Sequence, residues 1–441
     1  MAEPADAGER QAWRGLTASA VAERAWCAND RERAARFLKD MRHACASAEP
    51  GPECWRRAAR ALRQWPYECH ADAFDAAFGV FEATDGRATD TTRAAPRPYW
   101  TPTREFAART NLAALMRSCE GDALWRHARK GDPIADYPAF HALSVRSPDA
   151  FWPPLLDALG ITFDEPPRAM LEVPKEAFGG VEEATWLPGA RLNVARCCLE
   201  GRDDNAIAVL WRKEGEDAAI QQLTTAELRE QVYEFASALQ HTPGLAEGSA
   251  VAIDMQMSVE SVVAFLGIVA AGMVAVSIAD SFASEEIATR LRLSRAALIV
   301  TQDLVPRGNK MLPLYARVVA ADGAPPAVVV PVADATAEMP AHGIELRDGD
   351  VTWARFLKRA ASDAATEYVP VSRDAAAPTG ILFSSGTTGD PKAIPWSSIP
   401  PLRSAADAHC HQDVRKRDVV CFPTSACISS SRRSGGVASA R

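Results

Sequence analysis

The sequence predicts an α/β fold, with a parallel, doubly wound sheet that is preceded by a helical N-terminal region. Two observations lead to this prediction. From about residue 186 onward, short apolar runs alternate with amphipathic helical patterns, and the connections between them are short. Before about residue 85, apolar residues recur at three- and four-residue steps beside arginines, which is the period of a helix. Alternating strands and helices are typical of a parallel sheet with helices on both faces.

The strands are predicted from short runs that are rich in valine, isoleucine and alanine. They are expected within residues 206–211, 249–255, 273–278, 296–303, 327–332 and 380–383. Three helices are expected between the earlier strands. The first carries Thr224 or Thr225 as its N-cap. The second covers about residues 259–271, and the third has Ser284 as its N-cap.

Length and composition limit the class of protein. The 441 residues are enough for two or three domains. The formal net charge is -8, so no basic surplus exists to neutralise phosphates, and nucleic acid is not an expected partner. Ten cysteines are scattered without a disulfide-framework spacing, which favours reduced thiols inside a cell. The N-terminus lacks the apolar segment of a secretory signal.

One uncharged stretch, Ser261 to Ala279, is about as long as a membrane-spanning helix. It is rich in alanine, glycine and serine, and Gly272 stands where a helix would end. Alternating β-branched residues begin directly after that glycine. We therefore expect a buried helix followed by a strand, and no membrane span.

The segment after the last predicted strand reads SSGTTGDPK and runs from Ser384 to Lys392. Glycines admit backbone angles that let successive N–H groups point into one concavity, which binds anions. Four hydroxyl side chains add donors, and Lys392 adds a positive charge. This chemistry fits a nucleotide polyphosphate held with magnesium at a strand end. The alternative is a surface turn rich in serine, threonine and glycine.

Three other kinds of site are disfavoured. A Walker A loop needs adjacent glycine and lysine before a helix, whereas Asp390 and Pro391 separate Gly389 from Lys392. The loop is therefore expected between two strands, with a helix only from about Ser397. No G-x-S-x-G elbow of a serine hydrolase occurs. The motif AHCHQD cannot point its histidines and cysteine one way from a helix or a strand, so no metal site is expected.

Several segments resemble one enzyme superfamily. The order S-S-G-T-T-G-x-P-K resembles the phosphate loop of AMP-forming acyl-CoA synthetases and adenylating enzymes. Residues 186–201, WLPGARLNVARCCLEG, are similar to a segment near the start of acetyl-CoA synthetase-like enzymes. SIADSFA, at 277–283, and FHALSVRSPDAFW, at 140–152, resemble the plant peroxisomal acyl-activating branch. The resemblance covers about residues 101–424 and implies an incomplete adenylate-forming N-terminal domain.

The resemblance implies a two-step activation of a carboxylic acid. ATP, with Mg2+, gives an acyl-adenylate, and coenzyme A then displaces AMP. It assigns nucleotide binding to one set of loop residues: Ser384, Ser385, Gly386, Thr387, Thr388, Gly389 and Lys392. Residues 301–314 are similar to a segment whose basic side chains meet the 3′-phosphate region of CoA, which assigns that role to Arg307 and Lys310. Asn309 replaces a glycine of that pattern, and an ordinary solvated basic turn is the alternative. No catalytic residue is assigned.

The resemblance divides the chain into four parts. They are a helical extension (1–100), an acetyl-CoA synthetase-like cap (101–185), a partial AMP-binding domain (186–424) and a divergent low-complexity tail (425–441). After Thr424 the family pattern P-T-N-x-G-W-M-x-G is replaced by SACISSSRRSGGVASAR. We therefore expect a truncated chain with little or no ligase activity. A non-catalytic nucleotide-binding remnant or regulatory protein of the same fold is the alternative.

The acyl substrate expected from the resemblance is a short-chain carboxylic acid, and the expected location is cytoplasmic or peroxisomal. Neither expectation comes from the spacing of residues.

Overall fold

The structure is a computed structural model. It describes residues 17–22, 27, 30–45, 52–62, 65, 69, 73, 102–174, 184–212, 219–308, 310–332, 336–341, 343–362, 364–384, 389 and 391–421. The chain divides into two compact units, Met1–Ala107 and Ala108–Arg441. The predicted low-complexity tail lies outside the described residues.

The first unit is helical, as its periodicity predicts. Its helices include α1 (Ala18–Ala22), α2 (Arg31–Ala44) and α3 (Pro52–Ala61). Helix α2 begins after Asp30, whose carboxylate accepts the backbone N–H groups of Glu32 and Arg33. In the core of the unit, the rings of Phe37 and Trp65 meet edge to face with centroids 5.2 Å apart.

Five helices lie between residues 104 and 158. They are α4 (Arg104–Ala108), α5 (Asn111–Ser118), α6 (Ala123–Ala128), α7 (Pro133–Arg146) and α8 (Pro148–Ala158). Thr110, Asp122 and Asp132 each accept a backbone N–H from the first turn of the helix that follows. The rings of Trp125 and Phe140 lie 5.0 Å apart and fix α6 against α7.

Short antiparallel pairs precede the main sheet. The elements are β1 (Leu171–Glu172), β2 (Thr185–Trp186), β3 (Arg191–Leu192), α9 (Val194–Leu199), β4 (Ile207–Trp211) and β5 (Gln221–Thr224). Strand β1 pairs with β2, and β4 pairs with β5. The strand predicted at 206–211 exists, but its predicted place in the parallel sheet is wrong. The reason is that β5, which the sequence pattern did not indicate, pairs beside it and takes it out of the main sheet.

The next helix, α10 (Thr225–Gln240), begins where the sequence predicts. The hydroxyl of Thr224 accepts the N–H of Glu227, and the Glu227 carboxylate accepts the N–H of Thr224 at 2.7 Å. Two backbone donors that have no partner inside the helix are satisfied by this capping box. Of the two predicted alternatives, Thr224 is therefore the N-cap.

The remaining elements build the main sheet. They are β6 (Ala250–Asp254), α11 (Val259–Ala270), β7 (Val274–Ile278), α12 (Ser284–Ser294), β8 (Leu298–Gln302), β9 (Val305–Arg307), β10 (Lys310–Leu312), α13 (Leu314–Ala320), β11 (Ala327–Val330), β12 (Val351–Thr352), α14 (Trp353–Leu357), α15 (Ala364–Glu367), β13 (Arg373–Asp374), β14 (Pro378–Ser384), β15 (Lys392–Ser397) and α16 (Ile399–Cys410). Seven strands form one sheet in the order β12–β11–β8–β6–β7–β14–β15. Neighbouring strands in this sheet run parallel, except that β15 runs antiparallel to β14. Strands β9 and β10 pair separately, and β13 pairs with β3.

Helices cover both faces of the sheet, which confirms the doubly wound prediction. Leu298 and Val300 of β8 belong to a core that includes α10, α11 and α14. Ile299, between them, belongs to a second core that includes α12 and α13. Successive strand residues point to opposite faces, so the central strand is buried on both sides.

Gly272 follows the end of helix α11, as predicted, and the rest of the uncharged stretch forms strand β7. Its φ of +71° is left-handed, and a Cβ there would approach Val371 Cγ1 to 2.7 Å. The stretch consequently folds as α11 and then β7. No helix among the residues listed above as described is both long enough and apolar enough to cross a membrane.

One predicted cap is wrong. Ser284 is the first residue of α12, and the N-cap position is occupied by Ala283. The backbone N–H of Ala283 donates to the Glu286 carboxylate at 3.2 Å. Half of a capping box therefore forms without a capping hydroxyl, because the chain enters the helix one residue earlier than the serine suggested.

Candidate functional site

The ends of four parallel strands define the candidate site. Asp254, Ile278, Gln302 and Ser384 are the last residues of β6, β7, β8 and β14. We call this side of the sheet the carboxyl edge. Since these strands run parallel, the segments that follow them emerge on the same side. Ligands of open α/β sheets bind outside the carboxyl ends of the strands.

The predicted phosphate loop begins at this edge, between two strands as expected. Strands β14 and β15 pair down to Ser384 opposite Lys392, so these two residues form the base of the loop. Ser384 is half-buried, whereas Gly389 and Lys392 are exposed. Four loop residues assigned from the sequence lie outside the described part of the chain: Ser385, Gly386, Thr387 and Thr388.

A buried cation lies beneath the strand that leads into the loop. The guanidinium carbon of Arg290 is 3.7 Å from the ring centroid of Phe282 and 5.5 Å from that of Phe383, the residue before the loop. One N–H of Arg290 donates to the carbonyl of Glu286 at 2.9 Å. The sequence analysis missed this arginine. Its one signal is its spacing, because it follows the buried Ile287 by three residues on the apolar face of α12.

The two residues assigned to CoA lie opposite each other in the β9–β10 hairpin. Arg307 pairs in register with Lys310. The guanidinium of Arg307 also binds the carboxylate of Asp280 at 2.7 Å. The carbonyl of Asp280 is in turn held by Arg317 at 3.0 Å. The sequence analysis missed Asp280, because the contact joins residues that only the fold brings together.

Lys310 is the less constrained of the two cations. Its side chain is exposed and forms no ion pair with any residue that the structure describes. Asn309, which stands between the two pairing strands, lies outside the described residues. The hairpin therefore offers one tethered guanidinium and one free ammonium.

A second carboxylate at the carboxyl edge, that of Asp254, is buried without a hydrogen bond from any described residue. Asp254 is fully buried, and neither of its carboxylate oxygens has a hydrogen-bond partner among the described residues. Burial raises the pKa of Asp254 well above its ordinary value, and the nearby carboxylate of Asp280 raises it further. Thr301, its in-register neighbour on β8, is also fully buried, and its hydroxyl has no hydrogen-bond partner in the described part of the chain.

A third carboxylate, Asp303, shows the opposite arrangement directly after β8. It accepts the backbone N–H groups of Leu304, Val332 and Ala341 at 2.6, 2.7 and 2.8 Å. These bonds tie two later connections to the end of the strand. Asp303 is therefore a structural anchor of the carboxyl edge, whereas Asp254 accepts no hydrogen bond from the residues that the structure describes.

Side chains in the part of the chain that the structure describes do not form a metal-binding site by themselves. No group of three or more histidine, cysteine, aspartate or glutamate residues is arranged to hold a metal ion there. Asp254 and Asp280, which interact electrostatically, differ in environment, because Asp280 is engaged by Arg307 and Asp254 is not.

Comparison with known proteins agrees with this architecture. A sequence profile of the AMP-binding enzyme family matches residues 200–433, which include the main sheet and the loop. The chain therefore belongs to the AMP-binding enzyme family.

Two plant proteins are among the similar curated sequences. The probable acyl-activating enzyme 17, peroxisomal, of Arabidopsis thaliana is 41% identical over 88% of this chain and 52% of its own length. Hexanoyl-CoA synthase of Cannabis sativa is 43% identical over 74% of this chain and 45% of its own length. The chain thus spans about half the length of the curated relatives that it matches.

A solved structure supports the fold. Acetoacetyl-CoA synthetase from Streptomyces lividans superposes with a TM-score of 0.63 and 25% sequence identity. The match covers 75% of this chain and 48% of that protein.

Proposed function

We propose that this chain carries the nucleotide-binding part of an AMP-forming carboxylate–CoA ligase. The observation that carries the proposal is the position of the Ser384–Lys392 loop, which leaves the carboxyl edge between β14 and β15. A hydroxyl-rich, glycine-containing loop at the end of a parallel strand is suited to polyphosphate. Membership of the AMP-binding enzyme family supports ATP as that polyphosphate.

The proposed roles follow from the chemistry of the loop. Backbone N–H groups and hydroxyls of the assigned residues bind the β- and γ-phosphates of ATP, and the exposed ammonium of Lys392 neutralises charge as pyrophosphate leaves. The Mg2+ that accompanies ATP is held by phosphate oxygens and water with few protein ligands, as this ion commonly is. The buried guanidinium of Arg290 adds positive potential beneath the loop.

CoA is proposed to approach the β9–β10 hairpin. Lys310 is free to pair with a phosphate, whereas Arg307 reaches one only by sharing or leaving Asp280. Asp280 therefore sets how strongly this hairpin attracts an anion. The acyl substrate is proposed to be a short-chain carboxylic acid, and the similarity to Cannabis sativa hexanoyl-CoA synthase makes hexanoate the first acid to test. A peroxisomal location is proposed from the name of the Arabidopsis thaliana relative.

Calorimetric titration of the full chain with Mg2+–ATP tests the nucleotide site. We expect saturable binding that Lys392→Ala weakens by about 10- to 100-fold, since hydrogen bonds to charged groups contribute about 1.5–3 kcal/mol. Lys358→Ala is the matched control, because Lys358 is an exposed lysine that pairs with Glu338 away from the loop. Equal affinity of the Lys392→Ala variant and the wild type would overturn the proposal.

Exchange of labelled pyrophosphate into ATP, with acetate, butanoate or hexanoate, separates the two functional alternatives. Exchange that depends on a carboxylate supports adenylate formation by this chain. Saturable ATP binding without exchange supports the alternative, a nucleotide-binding protein of the same fold that does not catalyse the reaction.

A further inference from the structure

Two acids at the carboxyl edge act on each other, although neither belongs to the phosphate loop. Asp254 ends β6 and pairs in register with Ile278, the last residue of β7. Asp280 follows Ile278 by two residues, and its carboxylate interacts electrostatically with that of Asp254. Asp254 is fully buried, and Asp280 is 5% exposed. Two carboxylates that are held near each other away from water repel each other strongly.

The described residues around Asp254 give its carboxylate no hydrogen bond. Successive strand residues alternate between the faces of a sheet, so Asp254 and Thr301 share the face that holds Ala252 and Ile299. The Thr301 hydroxyl lies in register beside the carboxylate, and within the described structure it has no hydrogen-bond partner either. Helices α12 and α13 cover this face with a largely apolar core. An ionised Asp254 would therefore be poorly solvated.

Two charged groups act on Asp254 without bonding to it. Burial is the main reason that the pKa of Asp254 is raised; the Asp280 carboxylate raises it further, and the guanidinium of Arg317, on α13, lowers it. Arg317 is held in place by the backbone carbonyl of Asp280, to which it donates at 3.0 Å. The Asp280 carboxylate is itself paired with Arg307 at 2.7 Å. How much negative charge Asp254 experiences therefore depends on what Arg307 binds.

We propose that Asp254 sets the anion affinity of the β9–β10 hairpin through Asp280: an anion that binds Arg307 draws a proton from the solvent onto Asp254. This role rests on the anion site proposed above at Arg307 and Lys310. The anion shares or removes the guanidinium that Asp280 holds, and it adds negative charge of its own. One O–H bond forms on Asp254 and offsets that charge, and no other bond changes.

The sign of the pH dependence follows from the exchanged proton. Since binding of the anion takes up a proton, its association constant rises as the pH falls through the range in which Asp254 titrates. The rise is at most about tenfold for each pH unit, because one proton is exchanged. Reciprocally, the bound anion makes Asp254 hold its proton to a higher pH. Protonated Asp254 favours the anion, and ionised Asp254 repels it.

Calorimetric titration of the full chain with adenosine 3′,5′-bisphosphate tests this linkage across the pH range in which the protein stays folded. Repeating each titration in buffers of different ionisation enthalpy gives the number of protons that binding takes up. Over part of this range, the wild type should take up more protons than Asp254→Asn, by up to about one proton per chain. The difference between the two proteins cancels the protonation of the ligand itself.

Two further variants make the test specific to the buried acid. Asp254→Leu removes the carboxyl group and leaves an apolar side chain of similar size, so it should abolish the same extra proton. Asp157→Asn removes an exposed acid of α8 and should take up as many protons as the wild type does. A purely structural role of Asp254 would weaken binding in its variants without changing the number of protons exchanged.

The possible outcomes separate this inference from the proposed anion site. Equal proton uptake by the wild type, Asp254→Asn and Asp254→Leu at every pH would overturn the role of Asp254 and leave the anion site at the hairpin intact. Absence of saturable binding by the wild type would overturn both. Extra proton uptake that disappears in both Asp254 variants and persists in Asp157→Asn would support the linkage.

Discussion

The carboxyl edge and the amino edge of the main sheet differ in how their buried charges are compensated. At the carboxyl edge, the Asp280 carboxylate forms an ion pair with Arg307, whereas the Asp254 carboxylate is buried with no hydrogen-bond partner among the described residues. At the amino edge, where the same strands begin, both carboxylate oxygens of Asp350 accept hydrogen bonds, and Arg359 donates to the hydroxyl of Thr242. Because every strand but β15 runs the same way, the two edges carry different loops and therefore different chemistry.

The comparison teaches that burial alone does not define a functional acid. Asp254, Asp303 and Asp350 are all buried. Asp303 and Asp350 each accept several hydrogen bonds and hold loops to strand ends, whereas Asp254 accepts none within the described structure. Bonded acids are expected to carry stability, and the unbonded one is expected to carry pH sensitivity.

The largest effect is expected for Asp303→Ala. Three partly buried backbone N–H groups lose their acceptor, a fully buried carboxylate, so the free energy of unfolding should fall by about 3–5 kcal/mol. Urea denaturation followed by fluorescence measures this. Asp303→Asn, which keeps one acceptor oxygen, should lose less. A loss below about 1 kcal/mol for Asp303→Ala would show that the anchor is dispensable.

A smaller loss of stability is expected for Asp350→Ala, at the amino edge of the sheet. The hydroxyl of Tyr315 and the N–H of Ala327 lose an acceptor, but the partly exposed Arg347 can be solvated again. The free energy of unfolding should therefore fall by about 2–3 kcal/mol. The same denaturation experiment compares the two edges directly. A loss larger than that of Asp303→Ala would reverse the proposed order.

The Asp254→Asn variant tests pH dependence. Burial raises the folded-state pKa of Asp254, so the folded protein holds this proton more tightly than the unfolded chain does. Its contribution to stability is present in full below about pH 3.9 and is lost as the pH rises toward the raised folded-state pKa. The expected slope is up to about -1.4 kcal/mol per pH unit, and Asp254→Asn should remove it.

Unfolding midpoints measured across the pH range check this slope. Asp157→Asn, at an exposed position of α8, is the control and should leave the pH dependence unchanged. Identical profiles for Asp254→Asn and the wild type would mean that an interaction within the protein stabilises the buried carboxylate.

The smallest effect on stability is expected for Asp280→Asn. Although the Asp280 side chain is buried, Arg307 is 55% exposed and is readily solvated, so the loss should be below about 1 kcal/mol. Affinity of the hairpin for adenosine 3′,5′-bisphosphate should rise, because the competing carboxylate is gone. Unchanged or weaker binding of this probe would mean that Asp280 orients Arg307 without competing for it.

Sequence patterns predicted the elements whose causes are local. The Thr224 cap, the alternating strands and the position of the phosphate loop between β14 and β15 all follow from residues close together in the chain. The β4–β5 pairing, the Arg307–Asp280 contact and the Arg359–Thr242 hydrogen bond depend on segments that meet only after folding. A single sequence carries little signal for such contacts, so it predicted a loop between two strands but did not indicate the residues that surround it.

Gly272 determines whether the uncharged stretch from Ser261 to Ala279 folds as two elements or as one. A side chain at this position would strain the left-handed backbone and collide with Val371, so the reversal between α11 and β7 depends on glycine. Without that reversal, the uncharged stretch from Ser261 to Ala279 would form one continuous apolar helix of about the length that spans a bilayer. The absence of a Cβ at Gly272 therefore allows this apolar stretch to fold as a helix and a strand within the protein core.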